Sequence, residues 1–318
     1  MRHPILVALC IAGTATLAGC QKSSDAEVER TIESINVIDE SNLSEIMLTV
    51  GDPDEAVSDF QRASTERPER VDLKRGLAQS LVRAQKPTEA TSVLTEIIAG
   101  PEGTNEDRVA LADAHIRANE WKKAEETLNM IPPTHETFQR YKLEAMVADA
   151  NKKWDKSDSF YETAVGLTTT PAGVLNNWGY SKLTRGEYAG AEKLFSQALT
   201  YDPKMFTAKN NLVLARSAQR KYSLPIVEMT QTERAQLLYT AALSAIKQGD
   251  TSTGKSLLQE AVDTHPQHFP EAARAITVTG GLAAHPSHQP HDLWVQPECG
   301  HGTEGCIAVA VVLAPHGR

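Results

Sequence analysis

The chain has 318 residues, of which 41% are hydrophobic and only 5% aromatic, and its 41 acidic side chains outnumber 32 basic ones for a net charge of −9. That balance argues against binding a phosphate backbone, which rests on clustered lysine and arginine, so nucleic acid is not expected as a partner. The length is large for one globular core, whereas a chain built from repeats grows by addition and escapes that limit.

The first twenty residues read as a targeting segment. Arg2 and His3 make a polar start, Ile5 to Ala12 form a short apolar run, and Leu17-Ala18-Gly19-Cys20 closes it with small residues. The run is too short to span a membrane as a helix. The closing tetrapeptide resembles the lipobox of bacterial lipoproteins, in which the cysteine thiol is acylated and the peptide is cut just before it. That resemblance implies a lipoprotein signal peptide at 1–19 and lipidation of Cys20. Gln21 stands where an inner-membrane retention signal usually shows Asp, which implies the periplasmic face of the outer membrane. Several acyl chains, at ~0.8 kcal/mol per buried CH₂, would anchor the chain stably. The alternative is an ordinary secretory peptide with an incidental cysteine. Residues 20–36 are polar and charged, as a lipid-anchored tether would be.

From 37 to 276 one spacing recurs: a small residue, a bulky one four later, a small or aliphatic one three after that, and often a proline five beyond. Ala56/Phe60/Ala63/Pro68 and Ala191/Phe195/Ala198/Pro203 are the strong copies, and weaker ones start at Ala90, Ala124, Ser157 and Gly254. From 56 to 191 the leading residues step by 34, 34, 33 and 34, the period of a helix-turn-helix repeat. Units fall at about 37–70, 71–104, 105–137, 138–171, 172–205 and 235–268. Turn positions recur in phase at Gly51, Gln85, Asn119, Lys152, Gly186, Arg220 and Gly249, and an aromatic follows two residues on at Trp121, Trp154, Tyr188 and Tyr222, read as wedges between helices. Asp52-Pro53 places a cap and then a first-turn proline, and Thr230 with Glu233 has capping-box spacing. Gly179 should let the second helix of its unit approach closely.

One unit breaks the pattern. Phe206 to Tyr222 reads as a first helix, but the small residue due 34 after Ala191 is Pro225. An interior proline costs a helix about 3 kcal/mol, so Ser223 to Met229 is predicted to cross the array as an extended stretch. It is either a simple insertion or a segment that regulates access to a binding groove.

Beyond Ile276 the helix period stops. Residues 277–318 carry His285, His288, His291, Cys299, His301 and Cys306, which are metal-ligand types in no recognisable zinc spacing and without a general-base carboxylate beside them. The tail reads as a disordered extension, as a frameshifted end, as a small Cys299–Cys306 disulfide loop, or, remotely, as a zinc hydrolase site. No catalytic set, metal or cofactor is expected elsewhere.

The unit at 172–205, with Leu175, Trp178, Gly179, Tyr188, Ala191, Phe195, Ala198 and Pro203, resembles the tetratricopeptide repeat (TPR), which implies an all-α fold: a right-handed solenoid of antiparallel helix pairs with an interrupted sixth unit and an irregular tail. Asn177 and Asn211 match the asparagine that in some peptide-binding TPR proteins grips the ligand backbone, and Tyr180 and Leu214 lie one turn further along the same face. These four are the candidate peptide-binding residues; the alternative is that the asparagines stabilise neighbouring helix turns. The order of parts, from lipobox through Asn176-Asn177-Trp178-Gly179 and Asn210-Asn211-Leu212 to Tyr222-Ser223-Leu224-Pro225 and Glu233 to Tyr239, resembles the TadD family, TPR lipoproteins of the Tad system that assembles Flp-type IVb pili. That resemblance covers about residues 15–275. It implies a non-enzymatic scaffold that helps the outer-membrane secretin localise or oligomerise. Another envelope adaptor built on the same repeats, docking peptidoglycan hydrolases or an outer-membrane assembly machine, is the alternative.

Overall fold

The computed structural model describes residues 48–282, with side chains as far as Thr279. The described residues form thirteen helices and no strand. They divide into two units, one ending at His135 and the other starting at Glu136.

The first unit holds α1 (Pro53–Glu66), α2 (Val71–Arg83), α3 (Pro87–Ala99), α4 (Asn105–Arg117) and α5 (Trp121–Asn129). The expected cap is present: the Asp52 carboxylate accepts the N–H groups of Asp54 and Glu55, both at 3.0 Å, ahead of Pro53. Thr104 and Asp107 close a reciprocal capping box at the start of α4. Phe60, Leu73, Leu77, Leu81, Leu94, Ile97 and Leu111 make the core, drawn from four consecutive helices. Arg75 on α2 forks both its Nε and Nη2 onto the buried Asp107 carboxylate at 2.8 Å, which ties successive first helices together.

The second unit holds α6 (Phe138–Ala150), α7 (Trp154–Gly166), α8 (Ala172–Thr184), α9 (Tyr188–Tyr201), α10 (Phe206–Ala218), α11 (Gln231–Lys247), α12 (Thr251–Thr264) and α13 (Pro270–Leu282). Consecutive helices pack as pairs. Gly179 is required by that packing, since a Cβ there would lie 2.6 Å from Cε1 of the fully buried Phe195. The proposed end of the array needs correction: α13 runs through Ile276 without a break, because Ala272 and Ala275 continue to bury against Leu238 and Leu258.

The turn phase read from the sequence is reproduced in the backbone. Gln85, Asn119, Lys152, Gly186, Arg220 and Gly249 all adopt positive φ, between 56° and 86°. At each of them the following N–H reaches back five residues, as in Lys86 to the Leu81 carbonyl and Lys153 to the Ala148 carbonyl, both at 2.8 Å. This is the Schellman end of a first helix, repeated once per unit.

The unit predicted to fail does so at the predicted place. α10 ends at Ala218, four residues short of the expected Tyr222, and the chain to Thr230 is non-helical with bends at Ser223 and Ile226. It occupies the place of a second helix. Val227 packs on the core shared by α8, α9 and α10, while Leu224 and Met229 pack on the core of α10 and α11 beside Leu257 of α12. Its far end is fixed by the Thr230–Glu233 capping box that starts α11.

Candidate functional site

The candidate site lies on the first helices α8 and α10, and their placement starts with α7. Asp158 on α7 accepts from Trp178 Nε1 at 2.6 Å, from Arg185 Nη2 at 2.6 and 2.7 Å, and from Lys182 Nζ at 3.1 Å. Burial pushes this carboxyl up, but those three donors together hold it below the ordinary carboxylate range. Asp149 on α6 accepts from the hydroxyls of Ser157, Tyr161 (3.0 Å) and Ser181 (2.7 Å). Here burial dominates, and its carboxyl is raised above the ordinary value. The two carboxylates therefore bind three successive helices through buried polar contacts, whose directional geometry fixes one register where apolar packing alone would tolerate several.

α10 is held against α8 and α11 in the same manner. Asn211 Nδ2 donates to Asn176 Oδ1 at 3.0 Å, and Thr240 Oγ1 on α11 donates to Asn210 Oδ1 at 2.8 Å. Lys209, only 3% exposed, places its ammonium 3.1 and 3.2 Å from the two Glu233 oxygens. Arg216, Gln219 and Lys221 converge on Glu192 of α9 at 2.9, 2.9 and 3.2 Å.

Within this frame the four expected residues separate. Asn177 and Tyr180 are half-buried and three residues apart, so they share one stripe of α8; Asn211 and Leu214 have the same spacing on α10. Tyr180 also leans on the Leu175–Leu212 core, and burial raises its phenol above the ordinary value. Asn211 is buried, with one amide nitrogen bonded to Asn176 and its Oδ1 lacking a partner. It thus performs the helix-joining role that was the alternative reading, while Asn177, Tyr180 and Leu214 remain at the surface. Sequence reasoning missed Asn176 in this role. The signal was there, since Asn176 and Asn210 repeat at the same 34-residue step, but the bond runs diagonally from Asn176 to Asn211.

Trp121 donates to Asn119 Oδ1 at 2.7 Å and Trp154 lies beneath Arg185 at 5.6 Å, so both serve the turns and helix ends next to them. Among the described residues no group of three histidine, cysteine or acidic side chains could hold a metal, and no helix is long and apolar enough to cross a membrane. Cys20, the tether at 20–36 and the histidine- and cysteine-bearing tail lie outside the described residues.

Comparison with known proteins agrees with this geometry. Two family models, each described as Tetratricopeptide repeat, match the chain, one at residues 48–104 and 176–224 and the other at 236–268. Among solved structures, a tetratricopeptide repeat protein from Parabacteroides merdae shares 14% identity and a TM-score of 0.51 over 77% of this chain and 97% of that one. The APC/C hetero-tetramer Cut9–Hcn1 shares 13% identity and a TM-score of 0.56 over 76% of this chain and 50% of that one. PilW, described as a widely conserved type IV pilus biogenesis factor, shares 15% identity and a TM-score of 0.50 over 65% of this chain and 98% of that one. No curated protein sequence matches significantly. At such identities the likeness is one of fold, and the fold is the TPR helix pair.

Proposed function

We propose that the protein is a lipid-anchored, non-enzymatic scaffold at the periplasmic face of the outer membrane that assists assembly or localisation of the Tad/Flp pilus apparatus, holding a peptide segment of the secretin on the first-helix face of α8 and α10. The observation that carries the binding mode is the joining of these two helices through Asn176 and Asn211, which leaves Asn177, Tyr180 and Leu214 at the surface of adjacent units. A carboxamide supplies one donor and one acceptor, enough to pair with a peptide unit whatever its side chain, and Tyr180 and Leu214 supply apolar flanks. Lipidation of Cys20 would add to this by raising the local concentration of the site near a membrane-bound partner.

The Tad assignment rests on the lipobox and on the Tyr222–Tyr239 stretch, and the likeness of fold to a type IV pilus biogenesis factor supports it. The test is capture of secretin from detergent-extracted membranes by the lipidated protein. Asn177→Ala combined with Tyr180→Ala should reduce capture at least fivefold while the melting temperature stays within about 2 °C. Undiminished capture would refute the face, and background capture by the unaltered protein would refute the partner. In the latter case the envelope-adaptor reading, with a different client on the same fold, would take its place.

A further inference from the structure

We propose that the non-helical segment Lys221–Thr230 is a second docking site, separate from the α8/α10 face, and that its ligand is an extended peptide strand. That strand carries an apolar side chain opposite Ile226, an acidic residue toward Arg220 and Lys221, and a basic residue toward Glu228.

The segment is anchored on its inner side. Leu224, Val227 and Met229 sink into the cores around α8–α12, Lys221 is paired with Glu192, and the Thr230 N–H donates to Glu233 at 2.7 Å. A stretch fixed at both ends and along its length loses little entropy when it takes a ligand. Its outer side is the reverse. Ser223, Ile226 and Glu228 are exposed, and Ile226 is wholly so, an unusual position for a β-branched apolar residue that no neighbour covers.

The backbone supplies the second observation. The Val227 N–H closes a tight turn on the Pro225 carbonyl at 3.1 Å, but the N–H groups of Ile226 and Glu228 have no partner among the described residues. Residues two apart in an extended chain point their N–H and C=O groups to the same side, so Ile226 and Glu228 form a short open edge with the repeat of a β-strand. Strand addition satisfies such an edge, and cross-strand side chains then set its preference. Charge fixes the ligand's polarity. Arg220 and Lys221 are exposed at one end, and Glu228 stands at the other with no ion-pair partner among the described residues.

The test uses full-length lipidated protein in detergent and two labelled probes: the peptide acetyl-Asp-Thr-Val-Thr-Val-Thr-Lys-amide, and the same peptide N-methylated at alternate residues. Anisotropy should show the plain peptide binding at least tenfold more tightly than the methylated one, and hydrogen exchange should slow across residues 222–230. Glu228→Pro removes one edge N–H while leaving Val227 in the extended conformation that precedes a proline. It and Ile226→Asp should each weaken binding about tenfold, whereas Asn177→Ala should change it less than twofold. Equal affinity for the two probes, no binding at all, or loss of binding in Asn177→Ala would overturn the proposal. So would concentration-dependent protection of 222–230 without peptide, which would make a second copy of the chain the occupant.

Discussion

Lys152→Gly should stabilise the protein although it removes a side chain and adds no contact. Lys152 holds φ at +56°, a conformation in which an L-residue's Cβ crowds its own carbonyl at a cost of about 1–2 kcal/mol. Glycine escapes that cost but brings about 0.4–1 kcal/mol of extra unfolded-chain entropy. The difference leaves roughly 0.5–1 kcal/mol in favour of the variant. Lys152 is the cleanest of the four non-glycine turn positions, because its side chain is exposed and makes no hydrogen bond or ion pair among the described residues. Asn119 should gain less, since Asn119→Gly gives up the bond from Trp121 and asparagine already tolerates this region. A stack of repeats does not unfold in one step, so the assay is native-state hydrogen exchange read on the α6 and α7 amides rather than a single melting curve. The expected result is a slowing of about 2–5-fold at those amides, with the reverse change, Gly186→Lys, accelerating exchange around α8 and α9 by a similar factor. Faster exchange in Lys152→Gly, or no response to Gly186→Lys, would refute the reasoning that these positions carry backbone strain.

Three further outcomes follow from the buried contacts. Burial holds the Asp149 carboxyl above its ordinary value of 3.8, so the folded state keeps that proton longer than the unfolded chain and the contribution of Asp149 to stability falls as pH rises from about that value through the folded one. Asp149→Asn removes that slope while keeping an acceptor for the three hydroxyls; the urea midpoint of the variant should gain on that of the wild type as pH rises, and a constant gap would contradict the assignment. Asp158 has the opposite sign, because its carboxyl is depressed and its stabilisation is lost as pH falls through the folded value, so the variant should retain an acid-side loss. Glu233→Gln strands the Lys209 ammonium in the core and should cost about 3–5 kcal/mol in chemical denaturation, while Lys209→Met should stay within about 1 kcal/mol of wild type. Gly179→Ala drives a methyl into Phe195 and should cost about 1–3 kcal/mol, with partial recovery in the double variant carrying Phe195→Leu.

Much of the fold was legible because TPR packing repeats its constraints at fixed intervals. Ala56, Ala90, Ala124, Ala191 and Gly254 are all buried where second helices cross their partners, and the turn residues could be placed by counting. Pro225 was readable for the complementary reason, since a proline at a second-helix position has one physical outcome. What the sequence did not disclose is which polar residues face inward. Asp149, Asp158 and Lys209 look like ordinary solvated charges on their helices, and only the packing of the next unit makes them network centres. Asn177 and Asn211 show the same limit: identical type and phase predicted identical roles, yet one is half-buried and the other is spent joining α10 to α8. The end of α13 was misplaced because Thr277, Val278 and Thr279 are weak helix formers, and the buried contacts of Ala272 and Ala275 outweigh that local preference.

The most direct test of the central claim is photocrosslinking in living cells, with a photoreactive amino acid introduced at Tyr180 and, separately, at the outward-facing Lys193 of α9 as a control. The scaffold account predicts that Tyr180 yields a crosslinked product containing the outer-membrane secretin subunit, that Lys193 does not, and that the product disappears in Cys20→Ser cells. Crosslinks from Tyr180 to other envelope proteins with no secretin among them, or equal secretin yield from both positions, would contradict it.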